Sequence, residues 1–284
     1  MRKKLLLMAM MLTSTLTILA QVTTSALSGK VTVKDTKEEV IGATVQAVHE
    51  PSGTKYATVT NTSGRFNIQG MRSGGPYVVT ISYIGYESKT FKDIELDLAE
   101  TYELNVWLSE NSNELTEIVV SGKASKFTAE KTGASTNIRN VTIQELPTVS
   151  HSIGDIAKLS PYYGGSNSFA GGNGKSANFT LDGANLNNNF GLSANLPGGG
   201  SPVSLEALDE VQLVVAPFDV RQTNFIGGGI NAVTKSGTNN FKGTAYFYYT
   251  DENLHGNRVD GQQNSEPDPA RSKTYGFTLG GPIV

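Results

Sequence analysis

The chain of 284 residues contains no cysteine, and this absence removes disulfides, thiolate nucleophiles and cysteine-ligated metals together. It also excludes a lipid-modified cysteine behind an export signal. The net charge of −3 is nearly balanced, so we expect no broad basic surface for nucleic acid. Beyond the N-terminus there is no run of about 18 apolar residues, so the sequence predicts no transmembrane helix.

Catalytic motifs are also missing. The three histidines, His49, His151 and His255, do not form a His-Glu-x-x-His zinc motif, and each is predicted to be a surface or turn residue. Gly172 to Ala177 resembles a phosphate or dinucleotide turn but lacks the required first glycine or a following helix. Asp182 and the asparagines after it could ligate calcium, although asparagine-stabilised turns explain them better. We expect no enzyme, cofactor or metal; an exported hydrolase is the weakest hypothesis.

The first twenty residues are typical of a secretory signal. Arg2, Lys3 and Lys4 precede an apolar run at residues 5–12, and residues 13–20 are uncharged. Cleavage is predicted after Ala20, with Ala26 as the alternative. The mature chain is therefore expected to leave the cytoplasm.

Residues 21–110 show short stretches of alternating apolar and polar residues. Seven such stretches bounded by turns predict a β-sandwich, and they cover residues 27–33, 43–49, 56–60, 65–69, 77–83, 88–94 and 102–108. The run Asn61-Thr62-Ser63-Gly64 suits a turn whose last residue needs positive φ. Trp107 lies in the last stretch and is predicted to be in the core.

The stretch Leu115–Gly122 is a β-prone segment between two polar and small-residue flanks. Two interpretations are open. It is either a strand with no sheet of its own, whose backbone pairs with a partner's sheet edge, or a strand that closes a neighbouring domain.

Residues 134–240 mix helices, strands and long loops, which predicts an α+β domain. Helices are expected at 141–146 and 151–159, the second capped by Ser150. Strands are expected at 177–181, 210–216 and 229–234, with a helical turn at 202–208. The glycine- and asparagine-rich stretches 163–176 and 185–200 are predicted loops.

The last residues, 241–284, contain two alternating segments. Apolar residues at 241, 243, 245, 247 and 249, and again Tyr275, Phe277, Leu279 and Ile283, alternate with polar or phenolic ones. This alternation is typical of a membrane β-strand, with residues 251–273 as an external loop; an ordinary soluble hairpin is the alternative. Because two strands cannot close a barrel, the chain is expected to be the front of a longer protein.

Several motifs of the first domain resemble the carboxypeptidase-regulatory-like domain. They are Ser28-Gly29-Lys30-Val31, Ile41-Gly42-Ala43-Thr44-Val45, Thr60–Phe66, Gly75-Pro76-Tyr77 and Ile84-Gly85-Tyr86. Asn61 departs from the aspartate usual in that family but keeps an acceptor for the turn. The resemblance implies a transthyretin-like or carbohydrate-binding-like sandwich. An exported carbohydrate-binding or adhesive protein without transport activity is accordingly the alternative function.

The rest of the chain resembles the plug domain of TonB-dependent outer-membrane receptors. The matching runs are Ile143–Pro147, Ile153–Ile156, Thr180–Gly183, Leu205–Val211 and Gly227–Gly237. The resemblance makes residues 111–133 a linker with a TonB box, residues 134–240 a plug and residues 241–284 an incomplete barrel. It favours strand addition, with Glu117, Ile118, Val119, Val120 and Ser121 pairing with the TonB C-terminal domain.

That resemblance also implies a function and a location. The expected function is TonB-driven import of a large nutrient, such as an oligosaccharide, a peptide or a metal chelate, across the outer membrane. The N-terminal domains would lie on the periplasmic side, and a surface lipoprotein lid would be compatible with this arrangement. Ligand contacts are guessed at Asn167, Asn173, Asn187 and Asn188 in the predicted apex loops of the plug.

Overall fold

The computed structural model describes residues 23–110, 118–121, 134–148, 151–165, 168–174, 177–186, 202–216, 222, 227–254, 258–260, 262–263 and 271–283. The predicted signal, residues 1–20, lies outside this part of the chain. The chain divides into two compact units, with the boundary between Ser236 and Gly237. None of the helices in the described ranges is long and apolar enough to cross a membrane.

Within the described ranges, the first unit begins with a β-sandwich of nine strands. These are β1 Ser25–Val33, β2 Thr44–His49, β3 Thr54–Val59, β4 Arg65–Met71, β5 Gly74–Ser82, β6 Lys89–Leu96, β7 Thr101–Glu103, β8 Val106–Leu108 and β9 Ile118–Ser121. One sheet has the order β4-β1-β7, with β8 also paired to β1, and the other has the order β3-β2-β5-β6-β9. The predicted last strand is interrupted, so that it forms β7 and β8.

The core of the sandwich confirms the predicted alternation. Val45 and Ala47 of β2, Val79 and Ile81 of β5, and Leu27 of β1 are all fully buried. Side chains on successive strand residues point to opposite faces, so one alternating set from each sheet fills the space between them. Burial of an aliphatic side chain contributes roughly 1.5–3 kcal/mol, and this layer holds the sandwich together.

The turn before β4 is formed as predicted. Gly64 has a φ of +67°, which glycine adopts without steric cost. The Asn61 Oδ1 accepts hydrogen bonds from the backbone N–H groups of Ser63 (2.9 Å) and Arg65 (3.0 Å). Asparagine therefore supplies the acceptor that the turn needs.

The prediction that Trp107 lies in the core is wrong. Its neighbours Val106 and Leu108 are buried, and the indole, on the opposite face of β8, is 53% exposed. The alternation of the strand therefore overrides the apolar character of the residue. The ammonium of Lys89 lies 4.4 Å from the centroid of the Trp107 ring, a cation–π contact that covers part of the ring.

The remainder of the first unit, which we call the middle domain, combines a sheet with short helices. Its elements are β10 Ala134–Arg139, α1 Asn140–Glu145, α2 Ile153–Ala157, β11 Tyr163–Gly165, β12 Ser168–Phe169, β13 Asn178–Leu181, β14 Ala184–Asn185, a 3-10 turn Leu205–Ala207, β15 Leu208–Val215 and β16 Gly228–Thr234. The main sheet has the order β10-β15-β16-β13-β14. Strands β13 and β16 are parallel, and the other neighbours in this sheet are antiparallel.

Helix α2 is shorter than predicted. Ser152 holds the N-cap position without a side-chain hydrogen bond to the helix, and the predicted cap Ser150 lies outside the described residues. His151 has a φ of +50°, which is incompatible with an α-helix. Its Nε2 lies 2.5 Å from the Glu206 Oε1.

Strand β15 lies in the centre of the middle domain. All its residues except Asp209 are buried. The apolar side chains on one face, among them Val211 and Leu213, share a core with Ile143, Ile153 and other helix residues. The opposite face carries the two buried polar residues Glu210 and Gln212. A strand covered on both faces reads as a nearly continuous apolar run, which makes these two residues unusual.

The second unit is built on an antiparallel pair, β17 Lys242–Thr250 and β20 Ser272–Gly280, with short strands β18 Arg258–Val259 and β19 Gln262–Gln263 and a 3-10 turn Glu252–Leu254. The register runs without interruption from Lys242 opposite Gly280 to Thr250 opposite Ser272. Large apolar side chains on one face are open to the surroundings: Phe247 is 64%, Phe277 83% and Leu279 79% exposed. The Thr244 and Thr278 hydroxyls on the other face are 2.6 Å apart.

Candidate interaction strand and the joint behind it

Strand β9 occupies the end of the larger sheet of the sandwich. It runs parallel to β6, with Ile118 opposite Lys89 and Ser121 opposite Lys92. The expectation of a strand with no sheet of its own is therefore wrong, because one margin of β9 pairs with β6. Within the described residues no further strand pairs with the other margin, so its outward N–H and C=O groups are a template for another chain.

Of the five residues predicted to pair with a partner strand, the structure places Ile118, Val119, Val120 and Ser121 in this edge strand. Glu117 lies outside the described residues. Their role in pairing with TonB stays a prediction. Each has its main chain in an extended conformation, which is the conformation that strand addition requires.

Strand β6, with which β9 pairs, is an inner strand of the sheet and contributes to the sandwich core. Its other margin pairs with β5, and Phe91, Ile94 and Leu96 are buried in the sandwich core. The hydroxyl groups of Thr80 and Thr90 lie 3.3 Å apart across the two strands. Because β6 is held by the sheet and the core together, β9 is paired to a rigid element.

Strand β6 leads directly into the contact between the sandwich and the middle domain. The backbone N–H of Leu98 donates to the Glu210 Oε1 (2.9 Å). The Leu98 carbonyl accepts from the Gln212 Nε2 (2.8 Å) and the Asn137 Nδ2 (3.3 Å). We call Leu98, Asn137, Glu210 and Gln212 the joint. The three polar side chains of the joint bind both the N–H and the C=O group of Leu98, and the Leu98 side chain is fully buried.

Glu210 is the ionisable residue of the joint, and its pKa is shifted from the ordinary value. Burial raises its pKa to about 8, and the charges of Asp97 and Asp209 act in the same direction. The hydrogen bond from Leu98 and the charge of Arg139 partly oppose this rise. The Glu210 Oε2 and the Asn137 Oδ1 are both buried without a hydrogen-bond partner. A neutral carboxyl group therefore suits this site better than a carboxylate.

Polar contacts continue from the joint across the middle sheet. The Asn231 Nδ2 donates to the Gln212 Oε1 (3.2 Å), and the Thr180 Oγ1 donates to the Asn231 Oδ1 (2.8 Å). These side chains link Leu98 of the sandwich to β13 through β15 and β16. Buried polar networks of this kind fix one arrangement, because a misplaced partner leaves polar groups unpaired.

Ion pairs surround the joint. Arg139 donates to the Asp97 Oδ1 through Nη2 (2.7 Å) and Nε (3.0 Å), and its Nη1 contacts Glu95. The Ser135 Oγ donates to the Glu100 Oε1 (3.0 Å). The two domains of the first unit therefore share a polar contact that runs along β10 and residues 95–100.

The joint residues could not be selected from the sequence, since Leu98 and Glu210 are 112 positions apart in the chain. One signal was available: Glu210 and Gln212 are polar residues two positions apart in a strand whose other residues, apart from Asp209, are Leu and Val. Such a pair lies on one face of the strand and indicates a polar partner across that face.

Of the four residues predicted to contact a ligand, the described part of the chain includes Asn173. Asn173 is exposed, beyond the turn that follows β12. Asn167, Asn187 and Asn188 lie outside the described residues. Their role as ligand contacts stays a prediction.

Each histidine is predicted to be a surface or turn residue, and two of the three, His49 and His151, are largely buried. His49 is buried, with its Nδ1 2.7 Å from the Ser52 Oγ; burial, aided by the charge of Arg72, lowers its pKa. His151 is largely buried against Glu206, with side-chain exposures of 11% and 10%. His255 lies outside the described residues. Among the residues placed by the structure, no group of three or more His, Cys, Asp or Glu could hold a metal ion.

Two family matches cover the two ends of the chain. Residues 26–109 match the carboxypeptidase regulatory-like domain, and residues 233–284 match the outer membrane beta barrel domain. The first match coincides with the sandwich up to β8, and the second contains β17 and β20. The match to the barrel domain supports an outer-membrane location.

A curated relative extends across most of the sequence. The TonB-dependent transporter Oar of Myxococcus xanthus is 24% identical over 278 residues, which is 92% of this chain and 25% of the relative. The chain thus spans a quarter of the length of that protein. This similarity, together with the two family matches, supports a role like that of a TonB-dependent receptor.

Solved structures share only distant likeness with the chain. Catechol 1,2-dioxygenase of Acinetobacter radioresistens is 12% identical, with a TM-score of 0.26, over 36% of this chain and 57% of its own. The pilus 2b backbone protein of group B streptococcus is 15% identical, with a TM-score of 0.25, over 31% and 42%. Likeness this distant has no functional meaning.

Proposed function

We propose that the chain is the N-terminal part of a TonB-dependent outer-membrane receptor that imports a large nutrient, such as an oligosaccharide, a peptide or a metal chelate. The observation that carries the proposal is the outer margin of β9, the edge strand of the larger sheet of the sandwich, with which no other strand pairs in the part of the chain that the structure describes. The match to a TonB-dependent transporter over 92% of the chain supports it.

The proposed organisation follows the order of elements along the chain. Residues 1–20 are a signal peptide and residues 21–110 the regulatory-like sandwich. Residues 111–133 are a linker that contains the TonB box. Residues 134–240 are the plug, and residues 241–284 are the first barrel strands. In this arrangement the sandwich and the box lie in the periplasm, where TonB reaches them.

The exposed face of the β17–β20 pair is suited to lipid. Phe247, Tyr275, Phe277 and Leu279 are at least 64% exposed, whereas the Thr244–Thr278 hydroxyl pair lies on the other face. A membrane strand has this division, with an apolar outer face and a polar inner face. Further strands of the same receptor would complete the hydrogen bonding of these two strands, as a membrane barrel requires.

The force that TonB applies would be transmitted to the receptor through β9. The TonB C-terminal domain pairs with the main chain of residues 117–121, and force on that strand rearranges the plug to open a path for the ligand. Only a local rearrangement is needed, because segments with few buried contacts open at low cost in free energy.

A proline substitution tests the pairing directly. Val119→Pro removes one backbone donor and restricts φ, so we expect it to abolish capture of the full chain by the immobilised C-terminal domain of TonB from the same bacterium. Val119→Thr is the matched control, because threonine is also β-branched and keeps the N–H group.

The pair of variants separates backbone from side-chain recognition. Capture of Val119→Thr at the wild-type level, with loss for Val119→Pro, is the expected result. Equal capture of the wild type and Val119→Pro would show that TonB does not grip this strand. Circular dichroism of each variant verifies that the folded β content is retained.

A further inference from the structure

We propose that β9 stays paired with β6 when the TonB strand binds, so that the sandwich serves as a template and TonB extends its sheet across two proteins. The inference rests on the proposed function and concerns how the same strand is presented. The alternative is a release mechanism, in which β9 must leave β6 before TonB can pair with it.

The geometry of a strand allows both partners at once. In an extended chain, the backbone N–H and C=O groups are directed to the two margins of the strand in alternation. The pairing of Ile118–Ser121 with Lys89–Lys92 uses the groups on one margin. The groups on the other margin have no strand partner among the described residues. A TonB strand added there forms its hydrogen bonds without breaking any of those to β6.

Docking on β6 also prepares the strand for binding. Each residue that is fixed in an extended conformation costs conformational entropy, and this cost has already been met in the docked strand. Release would return that freedom to β9 and would leave the edge of β6 bare. After release, TonB binding would have to fix β9 a second time and the β6 edge would stay unpaired. Addition to the docked strand avoids both costs, as expected of a pre-organised binding site.

The position of β6 determines how a load on β9 is transmitted to the middle domain. Strand β6 ends at Leu96, and Leu98 is held by Glu210 and Gln212 of the middle domain. A load applied to β9 therefore reaches β15 through the β6 ladder and the joint, in addition to the covalent chain. In the release mechanism the covalent chain alone transmits the load.

An engineered cross-link distinguishes the two mechanisms. The chain has no native cysteine, so Lys92→Cys combined with Ser121→Cys creates one defined pair at directly opposed positions of β6 and β9. Neighbouring residues on paired strands lie within the Cα–Cα range that a disulfide bridges. The side chains leave the sheet plane, so the bond does not occupy the outer margin of β9.

The measurement is the Kd of the full-length double variant for the TonB C-terminal domain, before and after reduction. We expect the oxidised form to bind as tightly as the reduced form, within about twofold, or more tightly. A loss of about tenfold or more on oxidation, reversed by reductant, would overturn the template and establish release.

Two controls keep the outcomes separate. Thr90→Cys with Val119→Cys places a second pair at the next position on the same face, and failure of both pairs to cross-link would refute the docking itself. Absence of TonB binding by the wild-type chain would instead refute the proposed function, whatever the redox state of the variants.

Discussion

Replacement of Glu210 by glutamine isolates the contribution of one buried carboxyl group. Glu210 is 1% exposed and accepts the Leu98 N–H (2.9 Å), and its Oε2 has no partner. In Glu210→Gln the amide oxygen can still accept the Leu98 N–H, while the side chain no longer titrates. The substitution therefore keeps the shape of the joint and removes only the ionisation.

The sign and size of the effect of Glu210→Gln on the free energy of unfolding follow from the linkage between proton binding and folding. Burial raises the pKa of Glu210 from 4.5 to about 8, so the unfolded chain releases this proton at a lower pH than the folded chain. The contribution of Glu210 to the free energy of unfolding is therefore fully present below about pH 4.5 and is lost as the pH rises through 8. At about 1.4 kcal/mol per pKa unit, the loss is roughly 3 kcal/mol at pH 7 and about 5 kcal/mol at pH 9.

Urea unfolding at pH 5, 7 and 9, followed by circular dichroism, measures this difference. We expect similar midpoints for the wild type and Glu210→Gln at low pH, and a growing advantage of the variant as the pH rises. Glu38→Gln changes the net charge equally at an exposed position and should follow the wild type. Parallel pH curves for wild type and Glu210→Gln would refute the assignment of a buried carboxyl that stays neutral at pH 7.

The remaining predictions concern packing and the rim of the joint. A Cβ at Gly29 would lie 1.9 Å from the backbone oxygen of Leu104, which cannot move aside, so Gly29→Ala should lower the free energy of unfolding by about 3 kcal/mol or more. Gly237→Ala, which meets open space, should change it by less than about 0.5 kcal/mol; equal effects would contradict the clash. Arg139→Gln removes a two-pronged contact with Asp97 and should cost about 1 kcal/mol in low salt and less in high salt. A cost independent of salt would argue against an electrostatic contribution.

The local parts of the fold could be predicted from the sequence. The spacing of Val45 and Ala47, and of Val79 and Ile81, with one outward-facing residue between the members of each pair, identified strands whose inner faces are buried. Asn61 and Gly64 identified a turn that the structure contains. These features depend on residues close together in the chain, where backbone geometry and side-chain periodicity decide the outcome.

Features that depend on distant contacts could not be predicted. The pairing of β9 with β6 requires knowledge that the β6 edge is open, and the joint unites Leu98 with Glu210, 112 positions away. His151 has a left-handed backbone conformation, which excludes it from the predicted helix, and its side chain contacts the distant Glu206. Trp107 shows the reverse case, in which the strand alternation was available and the apolar character of the residue was given too much weight.

The central claim is that TonB grips the strand Ile118–Ser121 by its main chain, and amide hydrogen exchange tests it most directly. We predict that adding the TonB C-terminal domain to the full chain slows exchange at those alternate residues of 118–121 whose N–H groups point away from β6, because these groups become hydrogen-bonded. Unchanged exchange at these residues under saturating TonB would contradict the account.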